Sequence, residues 1–260
     1  PAFRDFLRGH VAALEDDPDI RPIVPQTCAE FLGALIIYVK NDERELFDDV
    51  ARELPTHVVR EPEKGKASFE VEFESIGDRD KARDVLRRAG LRFRTGKALV
   101  PFRITGNIEW GVKAPVIDGV EGLTVWCWPE SLWAPISFTM AANSHRGLPE
   151  DSWRDFWCND DAEIYQFIGQ DNLYFYGVVQ PALWQALLPG CIFPGEATDH
   201  PLRQTRLIAN YHVLFGNKKA SSSGAVKPPT ADDLLQHYTV EQLRAHFLAL
   251  GLDQKSVGFK

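Results

Sequence analysis

The sequence lacks paired cysteines, long apolar runs and an excess of basic charge. Its four cysteines, Cys28, Cys127, Cys158 and Cys191, are widely spaced and form no C-x-x-C pair. That spacing argues against a structural zinc knuckle and against a disulfide framework, so no metal site is expected. It fits a reducing compartment, and the expected location is cytoplasmic. No apolar run approaches the roughly 20 residues of a membrane-spanning helix, and the first residues do not have the pattern of a signal peptide. Lys and Arg number 29 against 37 Asp and Glu, a net charge of −8. A chain whose main task is gripping phosphates usually shows a basic face, because each neutralised phosphate releases counterions. Here the basic residues scatter, with one modest cluster: Lys81, Arg83, Arg87, Arg88, Arg92, Arg94 and Lys97. That cluster reads as the solvated face of a helix, so composition gives nucleic-acid binding no support.

What is present is ordinary for a soluble globular chain. The 260 residues are 44% apolar and 25% charged, enough for one large or two modest domains with a core that needs no disulfides. Ser256 to Lys260 close no element, so the chain is expected to be a piece of something longer. Pro1 decides nothing, since methionine is commonly removed before proline.

The first half alternates in an α+β manner. Residues 1–20 hold an amphipathic helix with Phe3, Phe6, Leu7, Val11 and Leu14 at helical spacing. Leu35 to Val39 is a β-prone run that ends at Asn41-Asp42, and a helix from Glu43 to Leu54 stops at Pro55. Residues 67–76 alternate as a half-buried strand, and Asp78 to Ala89 reads as a helix closed by Gly90. Leu91 to Phe102 suggests a hairpin turning at Thr95-Gly96. In the second half, strands are expected at Gly122–Trp128, Ala162–Gly169 and Arg206–Phe215. Helices are expected between them at Leu132–Ser144 and Asn172–Leu188, and two short helices at 230–236 and 240–250. Strand–helix alternation is the pattern of a parallel sheet, whose ligands sit at the carboxyl ends of the strands. The loops after Trp128, Phe167 and Phe215 are therefore the places to look for chemistry.

Four segments in order carry a resemblance. Ile104-Thr105-Gly106-Asn107-Ile108-Glu109-Trp110-Gly111-Val112 comes first, then Val125-Trp126 with Trp133 seven positions after Trp126. Tyr165-Gln166-Phe167-Ile168-Gly169-Gln170-Asp171-Asn172 is the most specific. Gly216-Asn217-Lys218-Lys219-Ala220-Ser221-Ser222-Ser223-Gly224 closes the set, again after a strand. Together they resemble the methionyl-tRNA synthetase family, class I aminoacyl-tRNA synthetases, from about residue 104 to the end. The resemblance implies an α/β fold: the second half of a Rossmann-type parallel sheet preceded by a smaller α+β subdomain. Residues 1–105 would be that subdomain, a degenerate equivalent of the family's inserted domain. Residues 106–228 would bind nucleotide and amino acid, and 229–260 would begin a helical stem-contact region.

The resemblance also implies roles, each beside a plainer reading. Gly169 would let a nucleotide approach the backbone, and Asp171, with Asn172 beside it, would receive the ATP ribose. The plainer reading is a strand-to-helix turn with Asp171 as N-cap. Trp126, Trp133 and Tyr176 would line the amino-acid pocket, with Glu130 at its rim, or would be core aromatics. The family has tyrosine where Trp133 stands and histidine where Tyr176 stands, so the slot is expected to be narrower than methionine needs. Ala134-Pro135-Ile136 resembles the family's own Ala-Pro-Ile, and a register set on it moves these positions. Lys218 matches the first lysine of the family's K-M-S-K-S loop, the second is replaced by Ser221, and Lys219 is placed to substitute; otherwise 216–224 is a surface loop.

The family's first signature, H-I-G-H, is absent from these 260 residues; Arg8-Gly9-His10-Val11 carries only a Gly-His pair. The expectation is an ATP- and Mg2+-dependent amino-acid-activating chain that takes its missing half from a preceding segment or a partner chain. The acceptor would be tRNA, as in methionine charging, or a hydroxylated amine, as in the cupin-fused, hydrazine-forming domains of this family, where a small amino acid such as glycine is used. The expectation leans to the second. A reading of another class is a non-catalytic module that binds amino acid or nucleotide. No membrane partner is expected.

Overall fold

The computed structural model describes residues 3–100, 102–188, 201–215, 218–219 and 227–259, with Lys218, Lys219 and Phe259 as backbone only. The chain divides into two compact units, residues 1–8 with 26–102 and residues 9–25 with 103–260. Helices α1 (Arg4–Glu15) and α2 (Ile23–Leu32) run across that division. α1 buries Leu7 and Val11, one turn apart. α2, which the sequence did not suggest, buries Val24, Cys28 and Leu32 at four-residue spacing. Its Pro25 sits in the first turn, where the missing N–H has no helical partner to lose.

The first unit contains β1 (Leu35–Lys40), α3 (Arg44–Val50), β2 (His57–Arg60), β3 (Ser68–Phe73), α4 (Ile76–Arg88) and β4 (Phe93–Thr95). The strands lie in the order β2-β3-β1-β4 with every neighbour antiparallel. A βαββαβ chain in that order is the split-βαβ arrangement of ferredoxin-like domains. Period-two alternation drives it: Ile37 and Val39 of β1 and Phe69, Val71 and Phe73 of β3 point to one face. There they meet Phe47 of α3 and Ala82 and Leu86 of α4. The Phe47 and Phe69 rings cross edge-on with centroids 5.1 Å apart. Ser75 caps α4 by accepting from the Asp78 amide at 3.0 Å, and Gly90, at φ +79°, ends it. Along α4, Lys81, Arg83 and Arg87 pair with Asp78, Asp80 and Asp84, the solvated basic face expected there.

Among the described residues, the hairpin expected across Leu91–Phe102 does not form. The Gly96 amide donates to Ile36 O at 2.8 Å, which continues the ladder between β4 and β1 instead of turning the chain back on itself. A Cβ at Gly96 would stand 3.1 Å from that same oxygen.

The second unit contains β5 (Thr105–Gly106), β6 (Thr124–Val125), α5 (Cys127–His145), α6 (Arg154–Trp157), β7 (Tyr165–Gly169), α7 (Gln180–Ala186), β8 (Arg206–Asn210), β9 (Val213–Phe215), β10 (Lys218–Lys219), α8 (Ala231–Leu235), α9 (Val240–Ala249) and β11 (Val257–Phe259). Its α/β character matches expectation, but among the described residues the three expected strands do not form one sheet. β6 keeps only two residues and pairs antiparallel with β5, because α5 already begins at Cys127 rather than Leu132. β7 and β8 pair in parallel. The third strand breaks after Asn210, where the Tyr211 amide donates to Leu252 O and His212 O accepts from Val257. β9 therefore pairs with β11 and β10 instead. Among the described residues no helix is long and apolar enough to cross a membrane.

Two outcomes follow from this packing. Leu86→Ala empties a fully buried site in the first unit, and urea unfolding should show a loss of about 2–5 kcal/mol. Burial pushes the Cys28 thiol up to about 12, against the downward pull of Lys97, whereas Cys127 is exposed. In a thiol-disulfide titration of the native protein at pH 8, Cys127→Ser should remove one fast-reacting thiol and Cys28→Ser none.

Candidate functional site

The parallel pair sets the frame: Gly169 ends β7 opposite Asn210 at the end of β8. A buried amide ties the surrounding elements to it. Gln180, fully buried at the start of α7, donates through Nε2 to Leu132 O of α5 at 3.0 Å. Its Oε1 lies 3.2 Å from the Thr205 hydroxyl, which is also 3.1 Å from Gln166 Oε1 of β7. One hydroxyl proton is thus shared between two amide oxygens. The segment before α2 is fastened to the other strand. Arg206 of β8 pairs with Asp17 at 2.6 Å, and Arg21 donates to Ala209 O at 3.0 Å and to the Asn210 side chain.

At the carboxyl end of β7, Gly169 is the exposed residue before a 3-10 turn, Gln170–Asn172. Its φ is −82°, and a Cβ built on it meets nothing within 4 Å. Among the described residues, neither backbone conformation nor packing calls for glycine there. Asp171 is not an N-cap: it lies inside the turn, and Gly169 occupies the cap position. Its carboxylate instead stands 3.1 Å from His212 Nε2, just past the end of β8. Asn172 closes the turn, half-buried, and a π-turn, Phe175–Val179, leads into α7.

The predicted pocket aromatics fall into different surroundings. Trp126 is the N-cap residue of α5. Phe175 stacks on Trp128 with centroids 3.7 Å apart and meets Trp126 edge-on at 5.9 Å. The Arg103 guanidinium lies 5.5 Å over the Trp126 ring. Trp133, by contrast, packs with Ile136, Trp157, Cys158 and Trp184, crossing Trp184 edge-on at 6.5 Å. Tyr176 directs its hydroxyl to Ser131 O at 3.5 Å. Pro135, four residues on, has no N–H to give that carbonyl, so the tyrosine is the donor in reach. Burial raises the pKa of Tyr176, which keeps the hydroxyl protonated as a donor. Glu130 is exposed in the first turn of α5.

Lys218 and Lys219 form β10, opposite Phe215 and Leu214; Ser221 and the rest of the 216–224 loop lie outside the described residues, as does Cys191. Among the described residues, no group of three or more His, Cys, Asp or Glu is placed to hold a metal ion. Sequence reading missed Trp128, Phe175, Gln180 and Arg21. The first two adjoin Trp126 and Tyr176 and were within reach. Arg21 is 188 residues from the carbonyl it holds, and no local pattern announces it.

Comparison with known proteins supplies the family. Residues 87–260 match the family model described as tRNA synthetases class I (M). A methionine–tRNA ligase of Sulfurisphaera tokodaii is 29% identical over 163 residues, 63% of this chain and 26% of that protein. One from Chloroflexus aggregans is 29% identical over 192 residues, 71% and 31% of the two chains. One from Sulfolobus acidocaldarius is 37% identical over 165 residues, 63% and 26%. The chain spans less than a third of the length of each of these relatives. The family model covers well over half of the chain, from within α4 through the parallel pair to its last residue, and the chain belongs to the class I tRNA synthetases of the methionyl type.

Proposed function

We propose that this chain is part of an ATP-dependent amino-acid-activating domain whose reaction centre lies at the carboxyl ends of β7 and β8. The observation that carries the proposal is Gly169. It is a glycine that the chain itself does not need, at the position where a nucleotide would pass closest to the backbone. Asp171 and Asn172 would receive the ribose hydroxyls, and Mg2+ would enter with ATP, held by phosphate oxygens and water. The amino-acid carboxylate would attack the α-phosphorus. A new O–P bond forms, the bond to the β-phosphate oxygen breaks, and pyrophosphate leaves with the electron pair. Lys218 and Lys219 would oppose the charge that builds on the α-phosphate oxygens. Trp126 and Tyr176, joined by Trp128 and Phe175, would form the wall met by the side chain, with Glu130 at the rim.

The parallel pair also supports a missing half. Parallel strands are normally covered on both faces, yet Phe167 of β7 is 75% exposed and Trp110, before β6, is 89% exposed. In this reading the two strands belong to a Rossmann-type sheet. The remaining strands and the H-I-G-H signature would come from a preceding segment or a partner chain.

The relatives' names favour methionine as the amino acid and tRNA as the acceptor. The bulk of Tyr176 and Trp133 favours a second reading, a small amino acid such as glycine joined to a hydroxylated amine. Labelled pyrophosphate exchange into ATP, run on the longest chain that contains this one, separates them. Exchange should depend on one amino acid: methionine supports translation, and glycine supports the second reading. Lys218→Ala should lower the rate by about 10²–10³-fold. Gly169→Ala should lower exchange at least about tenfold while leaving unfolding stability within about 0.5 kcal/mol. No exchange with any amino acid on a chain that includes the histidine signature would contradict the proposal and leave a binding module.

A further inference from the structure

The first unit has a feature that the adenylation reading does not use. Helices α3 and α4 pack on the Ile37/Val39 face of the sheet, and on the opposite face Tyr38, Lys40 and Glu70 line a cleft of about 580 Å3. The cleft crosses three strands. Tyr38 and Lys40 come from β1, Ser68 and Glu70 from β3, and Arg94 from β4, with Lys66 and Arg92 beside them. Register places Tyr38 at the centre, opposite Glu70 on one side and Arg94 on the other. The Arg94 guanidinium lies 4.3 Å over the Tyr38 ring, and Lys40 stands opposite Ser68 at the next outward position.

Four cations against one carboxylate make the lining complementary to an anion. Two of them are already engaged: Arg92 pairs with Asp42 at 2.7 Å and with Glu43, and Lys66 pairs with Glu63 at 3.0 Å. The charge offered to a ligand therefore falls on Lys40, two residues along β1 from Tyr38, and on Arg94, whose guanidinium lies over one face of the Tyr38 ring and leaves the other for a base. An aromatic ring with cations close to it on a sheet surface is the chemistry that holds single-stranded nucleic acid. There bases stack on rings and the cations take the phosphates. Because the cleft is open and runs across the strands, it suits an extended strand better than an enclosed small molecule.

We propose that this sheet face binds single-stranded RNA, with Tyr38 as the stacking platform and Lys40 and Arg94 as the phosphate contacts. Binding here does not depend on adenylation, so either activity can fail while the other stands.

The test is fluorescence anisotropy of the full chain with a labelled single-stranded oligoadenylate of about six nucleotides, titrated over a salt series. The expected slope of log K against log salt is about −1.4, for two single-strand phosphate contacts. Tyr38→Ala should weaken binding about tenfold, and Tyr38→Phe, which keeps the ring, should restore it. Arg94→Ala changes an exposed side chain and should reduce the slope by about 0.7 without unfolding the domain. Loss of binding in Tyr38→Ala and Arg94→Ala, with circular dichroism unchanged, supports the proposal. It is overturned by no binding of the oligomer at low salt, or by equal binding in Tyr38→Ala. Equal affinity for an RNA duplex, or full competition by AMP at the oligomer's own concentration, would also overturn it.

Discussion

A parallel pair of strands cannot stand alone in water, and the second unit is arranged around meeting that constraint. β7 and β8 exchange their backbone hydrogen bonds over five residue pairs, and the Gln180 network and the chain before α2 are tied to them. The buried amide of Gln180 is the central tie, because it reaches α5 through Leu132 O and the approach to β8 through Thr205. A buried amide left without partners costs about 1–3 kcal/mol. Position 180 therefore favours a side chain that both donates and accepts at that length. The ion pairs of Arg206 and the reach of Arg21 fasten the chain before α2 to the same strands. These ties hold the carboxyl ends of β7 and β8, where Gly169 and Asp171 stand.

The two units are built to different rules. The first is an antiparallel sheet with α3 and α4 packed on one face, and antiparallel sheets commonly leave part of their surface to solvent. Its core closes on itself with aromatic and β-branched residues. The second exposes large apolar side chains along 104–125 and on β7.

The sequence was most readable where a single periodicity decides the structure. The alternation of Phe69, Val71 and Phe73 and the helix expected from Asp78 to Ala89 appear in the structure as β3 and α4, with α4 beginning two residues earlier at Ile76 behind its Ser75 cap. The four-residue β2 was not legible, because so short a run shows no clear alternation, and of the strand expected at 122–128 only Thr124 and Val125 pair, as β6. The start of α5 was misjudged for another reason. Cys127-Trp128-Pro129 looks β-prone, but a proline is well tolerated in the first turn of a helix. At the site, the segment from Tyr165 to Asn172 was recognisable as a strand followed by a turn. The contact of Asp171 with His212, the Phe175 stack and the Gln180 network join residues distant in sequence, and only the three-dimensional arrangement shows them.

The central claim is that ATP sits at the carboxyl ends of β7 and β8. Hydrogen–deuterium exchange with and without ATP, on the longest chain that contains this sequence, tests it most directly. The account predicts slower exchange in residues 166–173 and 208–219 when ATP is present, and loss of that protection in Gly169→Ala. ATP-dependent protection confined to other segments, or protection that survives Gly169→Ala unchanged, would contradict it.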